Sequence, residues 1–128
     1  MANVTNLKTI TNNTPYAITV RNGENTQQLF TVNGNAGHNQ DLWVPWVGND
    51  SENWKVIQIK AGTRGETDIW VFQDYWNPPH ENAIKCYYGS DSSRIYTNAW
   101  EIDGNNRGGG EKGLILELHG RDIYLKII

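Results

Sequence analysis

The residues best suited to chemistry follow an apolar run in the middle of the chain. Residues 69–73 have the pattern of a strand, and the loop after them is stiffened by Pro78 and Pro79. Its candidate ligand-binding residues are Asp74, Tyr75, Trp76, Asn77 and His80. A sugar presents a face of C–H groups that stacks on an aromatic ring, and hydroxyls that pair with carboxylates and amides. The loop therefore predicts a carbohydrate-binding site, unless Trp76 turns inward and plugs one end of the core.

A second stretch repeats this combination of side chains. Trp46 is followed closely by Asn49 and Asp50, so an aromatic ring again precedes an amide and a carboxylate. These three residues join the candidate site. Trp54 begins an apolar run and is predicted to lie in the core, whereas the alternation leaves the position of Trp43 open.

The sequence contains no recognisable catalytic motif. Its three histidines, His38, His80 and His119, lie in separate segments without the spacing of metal ligands. The single cysteine, Cys86, alternates with apolar neighbours, which predicts a small core side chain rather than a nucleophile. No nucleophile elbow, phosphate-binding loop or dinucleotide fingerprint occurs. We therefore expect a protein that is not an enzyme.

A glycine-rich segment, residues 103–111, carries several oxygen-bearing side chains. These are Asp103, Asn105, Asn106 and Glu111. Calcium prefers such ligands, but their spacing matches no EF-hand, so a solvated turn is the prediction and we expect no metal or other cofactor. The glycines leave many backbone states open, which predicts a flexible hairpin loop or a lid over a site.

The elements that must position these residues are strands. Short runs of β-branched and aromatic residues alternate with polar ones, and Gly, Asn and Asp separate them. Asn22-Gly23, Asn33-Gly34, Asp103-Gly104 and His119-Gly120 predict tight hairpin turns, because such pairs adopt positive φ easily. No window shows the apolar stripe of a helix longer than one turn. The predicted strands are 7–11, 16–21, 28–32, 40–44, 54–60, 69–73, 83–88, 94–102, 114–119 and 122–127.

Ten short strands in 128 residues predict one all-β domain, residues 1–128. The expected architecture is an antiparallel two-sheet β-sandwich of jelly-roll or Greek-key type, with a β-trefoil or a barrel as alternatives. In the last strand Ile123, Leu125 and Ile127 form the inward set, so this strand should be paired and buried. In the strand before it, Leu114, Leu116 and Leu118 fall on one side, with Glu117 and His119 on the other.

Charge and composition exclude several classes of partner. The net charge is -3 and the basic residues are scattered, which argues against nucleic acid and against anionic membranes. The first residues have neither a basic patch nor an apolar run, so we read no signal peptide. We expect a cytoplasmic protein, with leaderless secretion or a processed mature form left open.

These observations favour a lectin that binds a glycan or glycoprotein at one end of the sandwich. Lectins gain avidity from several sites, so a homo-oligomer built through an edge strand would fit this role. The first alternative is a protein-interaction or inhibitor module, because stiff aromatic loops are good interface anchors. The second is a cytolysin-like membrane binder whose aromatic side chains sit at the headgroups, although the acidic charge opposes it.

Overall fold

The computed structural model describes residues 4–62, 67–74, 83–89, 99–120 and 122–128. Within these residues one 3₁₀ helix, Asp50–Lys55, accompanies a set of strands, as the period-two pattern predicts. The strands are β1 Thr5–Asn13, β2 Ile18–Asn22, β3 Asn25–Val32, β4 Ala36–Asn39, β5 Trp46–Val47, β6 Ile57–Ala61, β7 Thr67–Asp74, β8 Ile84–Tyr88, β9 Trp100–Glu101, β10 Asp103–Gly104, β11 Gly110–His119 and β12 Asp122–Ile127.

The strands form two sheets. Sheet I has the order β10-β12-β11-β1-β4, and sheet II has the order β3-β2-β6-β7-β8-β9 with β5 beside β7. Most neighbouring strands are antiparallel, while the pairs β1–β11, β5–β7 and β10–β12 are parallel. The predicted all-β sandwich of two sheets is confirmed.

The main core lies between the sheets and is filled by alternate residues of each strand. In β12 the inward set Ile123, Leu125 and Ile127 is buried and the strand is paired on both sides, as predicted. Each such side chain contributes about 1.5–3 kcal/mol when it is fully buried. The fully buried side chains of greatest volume are Phe72, Leu7, Ile10, Ile18, Leu42, Ile57, Ile59, Ile69, Ile84, Ile102 and Leu114.

The side of β11 that carries the three leucines is buried for most of its length. Leu114 and Leu116 are buried. Leu118 is 36% exposed. Leu118 lies next to the turn that joins β11 to β12, at the end of the sheet, where fewer neighbouring residues cover its side chain.

Part of the outer face of sheet II is also covered. Val47 of β5 and Val56, which follows the 3₁₀ helix, form a second apolar cluster with Trp70 and Phe72. The last six residues of β7 are buried without interruption, because one face of β7 meets the main core and the other meets this cluster.

The prediction that Trp54 lies in the core was wrong, because its side chain is 65% exposed. Residues 50–55 wind into the 3₁₀ helix, whose first turn is capped by Asn49: its Oδ1 accepts a bond of 3.0 Å from Ser51 N. The strand that follows begins only at Ile57. A helical turn therefore carries the indole to the surface.

The strand predicted over residues 40–44 was also wrong. This segment runs beside β1, but only Trp43 forms a bridge, an isolated one with Asn6. Side chains replace part of the ladder: Asn6 Oδ1 accepts from Leu42 N at 2.9 Å, and Gln40 Nε2 donates to Leu7 O. The segment is thus held to sheet I without regular strand pairing.

The four predicted turns differ in outcome. Gly120, with φ of +66°, closes the β11–β12 hairpin as expected. Asn33-Gly34 does lie in the β3–β4 connection, although Asn35, with φ of +56°, adopts the left-handed conformation there. Asp103-Gly104 is not a turn but β10, which pairs with β12. Gly23 does join β2 to β3, but it lacks positive φ; it is needed because a Cβ would collide with the Trp54 carbonyl.

Candidate functional site

The candidate site lies at the edge of the sandwich formed by β9 and β10. Trp100 of β9 is the register partner of Cys86 in β8, so it lies on the inner face of sheet II. Its ring stacks on that of Tyr88, with centroids 5.4 Å apart and an interplanar angle of 5°. Because β9 is an edge strand, the Trp100 side chain remains 50% exposed. The edge thus presents a fixed, accessible indole.

The facing wall of the site belongs to sheet I. The chain crosses from β9 to β10 through the buried residue Ile102. β10 is only two residues long and pairs with Lys126 and Ile127 alone. Within the described residues, the earlier part of β12 therefore has no strand on its outer edge. A cleft opens between this exposed edge and β9.

The cleft has a volume of about 570 Å³. Its floor is largely apolar, with Cys86, Ile102 and Leu125, and its rim carries Trp100 and Tyr124. Three acidic side chains and a histidine also line it: Glu101, Asp103, Asp122 and His119. The arrangement combines aromatic surface with hydrogen-bonding groups, as small-ligand sites do.

Hydrogen bonds and stacking fix the rim. Tyr124 Oη donates to Asp103 Oδ2 at 2.7 Å, and the rings of Tyr124 and His119 stack with centroids 4.6 Å apart. The bond to Asp103 is the largest cause that raises the pKa of Tyr124 above its usual value of 10.0. On the inner side Tyr88 Oη donates to the carbonyl of Ile123 at 2.6 Å. Burial raises the pKa of Tyr88 as well, so both phenols stay neutral at physiological pH.

Cys86 on the floor is a poor nucleophile. The side chain is buried, as the sequence predicts, and burial together with the charge of Asp103 raises its pKa from 9.0 to about 12. Since the thiolate is the reactive form, the thiol is inert near neutral pH. The Cys86 thiol is therefore a structural part of the floor of the cleft.

The two stretches predicted to bind a ligand begin side by side at another part of the molecule. β5 pairs in parallel with β7, so Trp46 is the register partner of Gln73 and Val47 that of Asp74. Trp46 is half-buried. Asp74 is fully buried, and its Oδ2 accepts from Lys85 Nζ at 2.5 Å. Its carboxylate is thus engaged within the fold.

The remaining predicted residues divide into two groups. Asn49 caps the 3₁₀ helix and Asp50 begins it, and both are exposed. Tyr75, Trp76, Asn77 and His80 lie outside the described residues. Their role in a binding site stays a prediction.

The sequence reasoning missed the cleft. A signal was present, because Trp100, Glu101 and Asp103 place an aromatic ring beside two carboxylates. Their meeting with Tyr88 and Tyr124 depends on the register between distant strands, which local patterns do not reveal. Asp103 was instead assigned to a solvated turn.

Two searches within the described part of the chain gave negative results. No three or more His, Cys, Asp and Glu side chains cluster there in a way that would hold a metal ion. No helix of those residues has the length and apolar character needed to span a membrane.

Comparisons with known proteins add no functional information. No protein-family model matches the chain, and no match was found among curated proteins or solved structures.

Proposed function

We propose that the protein is a lectin that binds a glycan in the cleft between β9 and β12. The observation that carries this proposal is the half-exposed indole of Trp100, held parallel to Tyr88 beside the carboxylate of Asp103. A pyranose would lay its C–H face on the indole and direct hydroxyls to the acidic rim. The ring is already in place, so little ordering entropy is lost on binding.

The size and chemistry of the cleft support a sugar over a larger or an anionic ligand. Its volume of about 570 Å³ falls within the range of roughly 300–1,000 Å³ that small-ligand sites occupy. Ionised Asp and Glu side chains only accept hydrogen bonds, so they suit a ligand rich in hydroxyl donors. Phosphate or another anion would be repelled by the same carboxylates.

The test begins with a glycan array, followed by calorimetric titration with the methyl glycosides that correspond to any hits. Trp100→Ala should weaken binding at the cleft at least about tenfold, which corresponds to about 1.4 kcal/mol. Trp54→Ala is the matched control, since Trp54 is even more exposed but lies on the 3₁₀ helix and does not line the cleft. It should bind like the unmodified protein. Both variants should keep their melting temperature within a few degrees.

Two results would overturn the proposal: an array without hits, or binding that Trp100→Ala leaves unchanged. A captured protein partner that survives an excess of free sugar would instead support an interaction module. Flotation with phosphatidylcholine vesicles would instead support a membrane binder. Loss of glycan binding at the β9–β12 cleft in an otherwise well-folded Trp100→Ala variant supports the lectin.

A further inference from the structure

We infer that the chain has a second glycan-binding site, a groove around Trp43 on the opposite edge of the sandwich, and that it cross-links glycans as a single chain. The inference rests on the proposed function for the class of ligand. The Trp43 groove is lined by Asn22, Glu24, Asn25, Gln28, Asp41 and Trp43, and its volume is about 570 Å³.

The Trp43 side chain is accessible to a ligand and does not cover the core. Its side chain is 52% exposed, while the neighbours on both sides, Leu42 and Val44, are buried. The backbone is pinned to β1: Leu7 N donates to Leu42 O at 2.8 Å, and Val44 N donates to Thr5 O at 2.9 Å. A rigid backbone therefore holds the indole out toward solvent, where it can stack on a sugar at little entropic cost.

The polar groups of the groove are fixed by a chain of hydrogen bonds. Gln28 Nε2 donates to the carbonyl of Asp41 at 2.6 Å, and Asn22 Nδ2 donates to Gln28 Oε1 at 2.9 Å. Asn22 Oδ1 in turn accepts from Glu24 N at 3.0 Å, which sets the β2–β3 turn at the rim. These bonds link the edge of sheet II to the segment beside β1, so the groove is built across both sheets.

The carboxylate of Asp41 is held ready for a ligand. Its Oδ1 accepts from Lys8 Nζ at 2.6 Å and from Asn6 Nδ2 at 2.9 Å. The bond from Lys8 is the largest cause that lowers the pKa of Asp41 below its usual 3.8, so the group stays ionised. Since both bonds fall on Oδ1, Oδ2 is the acceptor that a ligand hydroxyl would use.

The groove joins the aromatic and polar features that a sugar requires. Trp43 supplies the stacking surface, Asp41 accepts hydroxyl protons, and the amide of Asn25 both donates and accepts. Glu24 and Asn25 are exposed on the rim. The same combination defines the β9–β12 cleft, although no residue is shared between the two.

The sheet order places the two sites apart. β9 and β10 end the sheets on one side, where the chain crosses through Ile102. β3 and β4 end them on the other side, where Phe30 stacks on His38 with centroids 4.4 Å apart. The Trp43 groove adjoins β3, because Gln28 belongs to that strand. A chain with sites on opposite edges can bridge two glycan-bearing surfaces, which raises avidity without a second copy of the protein.

The inference is tested by stoichiometry and by cross-linking. The probes are the methyl glycosides that hit on the array, for calorimetry, and beads that carry the same sugar, for agglutination. We expect two sites per chain in a protein that light scattering shows to be monomeric. Trp43→Ala and Trp100→Ala should each leave one site, should still bind the beads, and should no longer agglutinate them. Trp54→Ala should behave as the unmodified protein.

The outcomes separate the two claims. Calorimetry could show one site per chain, which Trp43→Ala leaves intact and Trp100→Ala removes. This result would overturn the second site and would still support the lectin. One site that only Trp43→Ala removes would overturn the cleft and the bridging role. Agglutination that survives in both single variants would overturn cross-linking by one chain, because oligomers would then bridge the beads. Asp41→Asn offers a milder change that should also weaken the groove while the indole remains.

Discussion

The two edges of the sandwich are closed in different ways. At the edge formed by β3 and β4, polar side chains bridge the sheets, as Gln28 does to Asp41 and Asn12 does to the end of β3. At the edge formed by β9 and β10, the chain itself crosses through Ile102. Among the described residues, the short β10 leaves part of β12 without a neighbouring strand. The first edge carries a shallow polar groove, and the second carries a cleft with an apolar floor.

The difference shows two ways in which the edge of a sheet can be kept from pairing with another chain. An open strand edge is a template for pairing with another chain. At β12 this hazard is reduced by Tyr88, whose hydroxyl occupies the carbonyl of Ile123, and by the bulky rim of Trp100 and Tyr124. At the groove edge, side chains already use the main-chain groups. Side chains that line the cleft or the groove, together with their neighbours, thus keep each edge from pairing with a strand of another chain.

The largest effect is expected at the polar edge, from Asn12→Ala. Asn12 is fully buried, and its side chain holds the end of β3 to β1. Its Nδ2 donates to the carbonyls of Tyr16, Val32 and Asn33, and its Oδ1 accepts from the amide and hydroxyl of Thr14. A buried group left without a partner costs about 1–3 kcal/mol, so the substitution should lower the free energy of unfolding by at least about 3 kcal/mol.

Urea unfolding measures this change, and Asn13→Ala is the control because Asn13 is the exposed neighbour on the same strand. The control should shift the free energy of unfolding by no more than about 0.5 kcal/mol. A loss below about 1 kcal/mol for Asn12→Ala would show that polar bonding does not hold this edge closed.

A smaller effect is expected from the cleft floor at alkaline pH. The pKa of Cys86 is about 12 in the fold against 9.0 unfolded, so its contribution is fully present below pH 9 and is lost as pH rises toward 12. Between pH 8 and pH 10 the unfolded thiol ionises while the folded one does not. The free energy of unfolding should therefore fall by about 1.4 kcal/mol from this group.

The comparison variant is Cys86→Ala, measured by the same denaturation at both pH values. It will be less stable throughout, but it should lack this part of the alkaline loss. The smaller loss that arises as Tyr88 ionises in the unfolded chain, near its usual pKa of 10.0, should remain. An identical alkaline loss in both proteins would mean that the floor of the cleft admits water.

The smallest effect concerns the ion pair beside the groove. The pKa of Asp41 is lowered, so its contribution to stability is present above pH 3.8 and is lost as pH falls through the lower folded value. An NMR titration of the carboxyl carbon should give a midpoint below 3.8, and Lys8→Gln should raise it. The melting temperature should hardly change, because both side chains are largely exposed. If Lys8→Gln leaves this midpoint unchanged, Lys8 does not hold the Asp41 carboxylate in its ionised state.

Much of the scaffold was predictable because it depends on local rules. Alternation identified the buried face of β12, the burial of Cys86 and the paired final strand, and the glycine at 120 marked a hairpin turn. Errors arose where side chains overrode the pattern. Trp54 was assigned to a strand, but Asn49 caps a helical turn there. Residues 40–44 alternate as a strand does, yet side chains of Asn6 and Gln40 replace part of its ladder with β1.

The candidate sites were less predictable, since both arise from contacts between distant segments. The register of β8 and β9 brings Trp100 beside Tyr88. Trp43 and Asn22 line one groove because the edges of the two sheets approach each other. The sequence singled out tryptophans followed by amides and carboxylates, and the role of those residues stays a prediction. It could not say which indoles remain accessible, because exposure is a property of the packed sheets.

The parallel pairing of β1 with β11 has a consequence for synthesis in the cell. Thr5 pairs with Gly110 and Asn13 with Glu117, so β1 pairs with a strand that lies roughly 100 residues later in the chain. At about 5–20 residues per second, a ribosome takes on the order of 5–20 s to supply that neighbour. During this interval β1 has only β4 beside it, and folding of sheet I must wait until β11 has been made.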